Sequence, residues 1–336
     1  MQKRRLGNSG LEVSAIGLGC MGMSMSYGAT DDMLSIKTLE FAIEQGINFL
    51  DTADVYGVAG LGGWGHNETL ISKVLQGYRE KVVIATKCGF VHSKNMADDF
   101  TGIELNGTPQ YIKKACDASL QRLNIEVIDL FYLHRGDRRV PIEESVGALS
   151  ELVMEGKVRY IGLSDLKEAT LRRAALVHPI TAFQTEYSLF HRTPERTILP
   201  TCRELGISLV PYCPLGRGFL SGKVRDVSKL DTSDFRRKLP RFQDLNLEAN
   251  LKIVDTIVKL ASHKDCTPAQ FSIAWLLSQG NDIVPIPGTR SIERLNENIA
   301  ALDIRLNKEE LEEINRLIPI DGVVGEQYPK EFDFEI

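Results

Sequence analysis

Eight short apolar runs punctuate the chain: SAIGLG (14–19), INFLDT (47–52), VVIATK (82–87), VIDLFYL (127–133), RYIGLS (159–164), AFQTE (182–186), SLVPYC (208–213) and DIVPIP (282–287). Each is continuously hydrophobic rather than alternating, the mark of strands covered on both faces and hence of a parallel sheet. Helical patterns lie between them. In DDMLSIKTLEFAIEQG, Leu34, Thr38, Phe41 and Ala42 fall near one face and Gly46 supplies a stop. In TPQYIKKACDASLQRLN, Thr108 is placed as N-cap and Pro109 as first helical residue. Eight β-α units in roughly 300 residues predict a closed (β/α)8 TIM barrel, because open doubly wound sheets usually hold fewer strands.

Three segments fall outside the repeat. The first dozen residues, with the turn GNSG, predict a β-hairpin across the barrel floor. About 68 residues separate the seventh and eighth runs, too many for a plain βα loop, and predict a functional excursion. A last helix in NKEELEEINRL precedes the tail IDGVVGEQYPKEFDFEI. Nothing in the composition divides the chain, so residues 1–336 read as a single barrel domain with extra helices and long loops on its C-terminal face.

Several function classes drop out. The net charge is −5 with both signs interspersed, which leaves no nucleic-acid footprint and no basic membrane patch. No apolar run reaches the roughly 18 residues of a membrane span, and the basic N-terminus lacks a signal-peptide core. Six scattered cysteines form no C-x-x-C pair, so reduced thiols, a cytoplasmic location and no metal are expected. Whether the chain forms a homo-oligomer is left open.

GLGCMG (Gly17, Gly19, Gly22) matches the dinucleotide fingerprint G-x-G-x-x-G, but a loop-like MSMSYGATDD follows where a Rossmann helix should begin. A close-approach loop at the barrel mouth is the better reading. Asp51, Lys87 and His134 end or directly follow the second, third and fourth runs, so a barrel gathers them at one mouth, with Tyr56 arriving from the loop after the second. Taken singly, each has an ordinary structural use as a turn cap, a solvated cation or a core histidine. Together they have a chemistry. An ammonium at Lys87 would favour the Tyr56 phenolate and bring its pKa down toward the working range, Asp51 would hold that ammonium, and His134 would direct a carbonyl oxygen. Asp54 is placed on the turn as a brace. Such a group protonates an oxygen while a hydride attacks the carbon, which calls for a nicotinamide at the same mouth.

In this order and spacing, GINFLDTADVYG…NE, IDLFYLHR, VPYCPLGRGFLSGK and IPGTRSIERLNENI resemble the aldo-keto reductase family along nearly the whole chain, nearest the perakine-reductase-like and pyridoxal-reductase-like branch. The resemblance implies that Tyr56 is the general acid, tuned by Lys87 and Asp51, and that His134 orients substrate. It implies a nicotinamide site at Ser164, Asp165, Gln184 and Tyr212, with Gly22 and Met23 beside it. Pro214, Leu215 and Arg217 would cover the pyrophosphate, while Gly288, Thr289, Arg290, Arg294, Glu297 and Asn298 would hold the adenosine end. The arginines imply NADPH over NADH. Relatives often carry Asn where Asp165 stands, and VAGLGGWGH intervenes before Asn67 and Glu68, with Trp64 placed to line the substrate pocket. The function implied is NADPH-dependent, reversible reduction of a small aldehyde or ketone. A cofactor-binding redox sensor or channel-β-subunit-like protein with little turnover is the alternative, and a Schiff-base aldolase using Lys87 leaves Tyr212 and the arginines unemployed.

Overall fold

The computed structural model describes residues 1–57, 63–91 and 104–329. The chain opens with an antiparallel hairpin, β1 (Lys3–Leu6) and β2 (Leu11–Ser14). It covers the floor as expected: the Asn8 N–H donates to the Gly206 carbonyl, and Arg4 donates to the carbonyls of Leu277, Gly280 and Ile283.

Above it the strands are β3 (Leu18–Gly19), β4 (Phe49–Asp51), β5 (Val83–Cys88), β6 (Phe90–Val91), β7 (Glu104–Leu105), β8 (Ile128–Leu133), β9 (Val158–Ser164), β10 (Ala182–Glu186) and β11 (Ser208–Tyr212). β6 and β7 pair as a small antiparallel ribbon. The other seven form one parallel sheet in the order β11-β10-β9-β8-β5-β4-β3. The eighth run closes the ring without forming a regular strand. Pro285 and Pro287 have no N–H to give, so they only accept, from Gly17 and Gly19, while Val284 and Ile286 donate to Leu209 and Pro211 on the other side. Bridges at Leu209–Ile283 and Gly19–Gly288 complete the barrel.

The first run is shorter than its sequence suggests, because Ser14 belongs to the hairpin and only Leu18–Gly19 pair in the barrel. Gly19 is needed there. A Cβ on it would stand 2.8 Å from the Ile286 carbonyl oxygen, so a side chain would force the closing segments apart.

Six helices alternate with these strands: α1 (Asp32–Glu44), α2 (His66–Tyr78), α3 (Pro109–Leu123), α4 (Ile142–Met154), α5 (Glu168–Val177) and α6 (Ile198–Leu205). The rest of the chain carries α7 (Asp244–His263), α8 (Pro268–Ser278), α9 (Ile292–Ala300) and α10 (Lys308–Leu317). Pro109 opens α3 as expected. The buried face of α1 is rotated from the expected one. Asp31 caps the helix by accepting from the Leu34 N–H, and the stripe Ser35, Thr38, Leu39, Ala42 and Ile43 packs inward, leaving Leu34 exposed. The excursion after β11 is a run of 3-10 turns followed by α7 and α8, and the final helix is α10, opened by an Asn307–Glu310 capping box.

Candidate active site

The turn after β4 is built to present Tyr56. Its backbone is tied to β5, with the Thr52 N–H donating to Ala85 and the Asp54 N–H to Lys87. It is also tied to the start of α2, where the Asn67 N–H donates to the Tyr56 carbonyl. The Asn67 side chain accepts from the Thr52 hydroxyl and donates to the Cys20 carbonyl and Ser24 hydroxyl, joining three loops at one buried amide. Glu68 beside it is equally buried, accepting from Thr86 and Arg122. The NE pair therefore acts as a clamp for the turn that carries Tyr56.

Inside that turn the Lys87 ammonium donates to Asp51 Oδ1 at 2.5 Å, to the Thr52 carbonyl at 2.8 Å and to the Tyr56 hydroxyl at 3.3 Å. Gln184 holds the other Asp51 oxygen at 2.7 Å. His134 meets Tyr56 edge-on, with ring centroids 6.0 Å apart, and packs against Phe90 at 4.7 Å. Trp64, Met21 and Phe90 join Met25, Ala53, Val55 and Tyr56 in an apolar cluster at the mouth. Trp64 therefore sits beside the tyrosine. Residues 58–62 of the insertion before it lie outside the described residues.

Electrostatics refine the expected chemistry. Burial, with the Asp51 carboxylate next, pushes the Tyr56 phenol well above its ordinary value, against the lowering expected from Lys87. The resting form is thus the protonated phenol. Burial also raises the Asp51 carboxyl, opposed by Lys87 and Gln184. His134 is held well below its ordinary value by burial and by the cations Lys87 and Arg135, so the imidazole is neutral. Its Nδ1 is buried without a hydrogen-bond partner among the described residues. A bare lone pair there is the less costly arrangement, which puts the ring proton on Nε2. Asp54 is buried too, but makes no hydrogen bond to the Lys87 ammonium. Among the described residues its Oδ1 has no close hydrogen-bond partner; the carboxyl accepts from the Val55 backbone N–H on its own turn and, at 3.5 Å, from the Tyr111 hydroxyl.

The later strand ends hold the second half of the site. Ser164 is buried at the end of β9 and Gln184 within β10. Asp165 stands in a left-handed conformation (φ 47°), its carboxylate accepting from Thr185 (2.7 Å) and Tyr212 (3.0 Å) and paired with Arg135 at 2.8 Å. Asp165 thus fixes Thr185, Tyr212 and Arg135 around the strand ends. Tyr212 ends β11, and the turn Cys213, Pro214, Leu215, Gly216, Arg217, Gly218 follows, with positive φ at Cys213, Gly216, Arg217 and Gly218. Gly22 and Met23 lie in a 3-10 turn after β3, and the next helix begins only at Asp32, so no Rossmann unit is formed.

Gly288 and Thr289 lead into α9, whose N-cap Ser291 accepts from the Arg294 N–H. Glu297 lies on this helix, and Asn298 is buried beside it. Arg294 is exposed, whereas Arg290 donates to the carbonyls of Gly22 and Tyr27 and so braces the loop after β3. Burial and the neighbouring Arg294 and Arg236 press the Arg290 guanidinium below its ordinary value, which marks a concentration of positive charge.

Some participants had no local signal. Thr52 acts through its backbone carbonyl, Arg236 reaches Tyr27 from the excursion at 5.1 Å, and Gln327 and Tyr328 come from the tail. Arg135 was legible only as the neighbour of His134. A cavity of about 420 Å³ opens at the opposite end of the barrel, lined by Arg79, Asn124 and Arg159 among others, and contains none of this chemistry.

Residues 15–319 match the model of the Aldo/keto reductase family. Among curated proteins, the chain is 45% identical over 335 residues to "Probable aldo-keto reductase 1" of Glycine max, covering 99% of this chain and 93% of that one. Among solved structures, the glycerol dehydrogenase AKR11B4 from Gluconobacter oxydans superposes with a TM-score of 0.83 at 29% identity, covering 95% and 96% of the two chains. An aldo/keto reductase from Klebsiella pneumoniae, solved in complex with NADP and acetate, superposes with a TM-score of 0.72 at 28% identity, covering 98% and 99%.

Proposed function

The chain belongs to the aldo/keto reductase family, and from that membership we propose that it reduces a small aldehyde or ketone reversibly with NADPH, using Tyr56 as general acid. The observation that carries this reading is the Lys87 ammonium held between Asp51 and the Tyr56 hydroxyl. It is an NADP-dependent oxidoreductase.

The residues present suit such a cofactor. Tyr212 offers a ring whose hydroxyl edge is already anchored to Asp165. The backbones of Gly19 and Gly288 approach closely, and Arg236, Arg290 and Arg294 gather positive charge near the start of α9. Ser164, Asp165, Gln184 and Tyr212 would hold the nicotinamide end, with Gly22 and Met23 alongside. Pro214, Leu215 and Arg217 would hold the diphosphate, and Gly288, Thr289, Arg290, Arg294, Glu297 and Asn298 the adenosine end. When bound, the nicotinamide supplies a hydride to the carbonyl carbon.

The protein's part is a proton and its geometry. Tyr56, protonated at rest, gives its proton to the carbonyl oxygen as negative charge develops there. The Lys87 ammonium then faces the new phenolate at 3.3 Å and stabilises it. Asp51, Thr52 and Gln184 keep that ammonium in place, so little reorganisation is needed during the step. His134 Nε2–H donates to the same carbonyl oxygen and fixes its approach, with Trp64 on the apolar side of the pocket. The physiological carbonyl compound is reduced at this mouth, where Met21, Met25 and Phe90 favour an uncharged substrate surface.

The test is NADPH oxidation across an aldehyde and ketone panel with Tyr56→Phe beside the unchanged chain. The variant should keep cofactor binding and lose about 10²- to 10⁴-fold in kcat, the usual contribution of a general acid. Undiminished turnover by Tyr56→Phe would sink the mechanism. Tight cofactor retention with negligible turnover by the unchanged chain would favour the sensor alternative.

A further inference from the structure

We propose that Tyr328, carried by the C-terminal tail, is a positioning residue for the nicotinamide and diphosphate seat, and that its hydroxyl sets how tightly the cofactor is held. The inference rests on the cofactor reading above. The tail is not loosely laid down. After α10, the Ile318 carbonyl accepts from the buried Arg192 at 2.6 Å. Val324 is held through both its N–H and its carbonyl by the side chain of Asn250, itself fully buried on α7, at 2.9 Å each. The Gly325 carbonyl then accepts from Arg241. This strap, anchored on the excursion, delivers two side chains to the barrel mouth.

Gln327 donates to Glu186 at 2.8 Å and to the Tyr212 hydroxyl at 3.3 Å. The Tyr328 hydroxyl accepts from Arg217 at 2.7 Å and lies 3.2 Å from the Tyr212 hydroxyl. The direction of the remaining protons follows from what each group can do. The Asp165 carboxylate only accepts, so Tyr212 gives its proton to Asp165. Tyr212 therefore accepts from Tyr328, and Tyr328 accepts from Arg217. The chain runs Arg217 to Tyr328 to Tyr212 to Asp165, with Arg135 closing the far end. The Tyr328 ring lies 5.1 Å from the Arg217 guanidinium and 5.9 Å from that of Arg135.

Two features connect this chain to binding. All of it reaches Tyr212 at the hydroxyl, and so fixes the orientation of a ring that would stack on a flat heterocycle. Arg217 is a non-glycine residue at φ 57°, between Gly216 and Gly218 that are also left-handed, and such a backbone persists only when its side chain is held. Its side chain is held by Glu186 at 3.3 Å, by Tyr328 and by the Tyr27 hydroxyl. Removing the Tyr328 hydroxyl loosens the floor of the seat and the turn that flanks the diphosphate in one change.

The experiment compares Tyr328→Phe and Tyr328→Ala with the unchanged full-length chain. It measures the NADPH dissociation constant by cofactor fluorescence, the release rate by stopped-flow displacement and the melting temperature without cofactor. Tyr328→Phe keeps the ring, so the cofactor-free melting temperature should stay near the parent. NADPH should bind about tenfold more weakly, through faster release, as loss of a hydrogen bond to a charged group implies. Tyr328→Ala should weaken binding further. If Tyr328→Ala fails to fold, Tyr328→Phe alone decides. Affinity and release within twofold of the parent in Tyr328→Phe would overturn the proposal, as would a loss of affinity matched by a drop in cofactor-free melting temperature. Failure of the unchanged chain to bind NADPH would overturn the functional reading instead.

Discussion

Lys87 Nζ and Asp51 Oδ1 stand 2.5 Å apart at the barrel mouth, with the two side chains 0% and 3% exposed. A pair this deep contributes little net stability while intact, because desolvation offsets attraction, yet removing one partner leaves a buried charge uncompensated. Its value here is directional: the carboxylate aims the ammonium at Tyr56.

Lys87→Met removes the cation that favours the phenolate. In the proposed mechanism alcohol oxidation starts from the phenolate and carbonyl reduction from the phenol, so the variant should lose more in oxidation than in reduction at pH 8. Asp51→Asn keeps the lysine but loosens its aim, and should lower kcat by about 10²-fold and stability by about 3 kcal/mol. Steady-state rates in both directions and denaturant unfolding check this. Asp54→Asn should leave kcat within a few-fold, and a larger loss there than in Asp51→Asn would reverse the assignment of the two aspartates.

Asp54 supplies a stability test with a definite sign. Burial, with Glu68 next, holds its carboxyl well above the ordinary value, so the folded chain binds this proton more tightly than the unfolded chain does. Its stabilising contribution is therefore complete below the unfolded value, about 3.9, and is lost as pH rises through the folded one. At pH 8 the group is a cost, since burial and the nearby Glu68 oppose its ionisation inside the fold. Asp54→Asn should narrow the difference in melting temperature between pH 5 and pH 8, and raise the value at pH 8 by about 2–4 °C. A lower melting temperature for the variant at pH 8 would show that the ionised carboxylate has a stabilising partner.

Much of this was legible in the chain. Doubly covered strands are continuous apolar runs, and polar residues at their C-terminal ends stand out against them, which is why Asp51, Lys87 and His134 could be placed together. Where the reading fell short, a second physical demand had intervened. Pro285 and Pro287 withhold N–H groups and break the eighth strand into bridges. The Asp31 cap sets the start of α1 and turns Leu34 outward. Burial outweighs Lys87 at the Tyr56 phenol, a balance that depends on how completely the mouth is enclosed. Tyr328 meets Tyr212 only because a strap on Asn250 delivers it, and no local pattern encodes that.

Arg290 and Arg294 looked interchangeable in the sequence, but their surroundings give them separable effects. Arg294 is exposed near the start of α9, and in the proposed cofactor seat it would meet a 2′-phosphate that NADH lacks. Arg290 spends its guanidinium on the Gly22 and Tyr27 carbonyls, and so holds the loop against which either cofactor would lie. Arg294→Ala should therefore raise KM for NADPH about five- to tenfold and leave KM for NADH within twofold, while added salt should narrow the gap between parent and variant. Arg290→Ala should raise both KM values together, because the brace serves the part of the molecule that the two cofactors share. Parallel titrations with NADPH and NADH at low and high ionic strength separate the two roles. Equal losses for both cofactors in Arg294→Ala would remove it from the 2′-phosphate and return that task to Arg290 or to Arg236, which also lies close enough to press on the Arg290 charge.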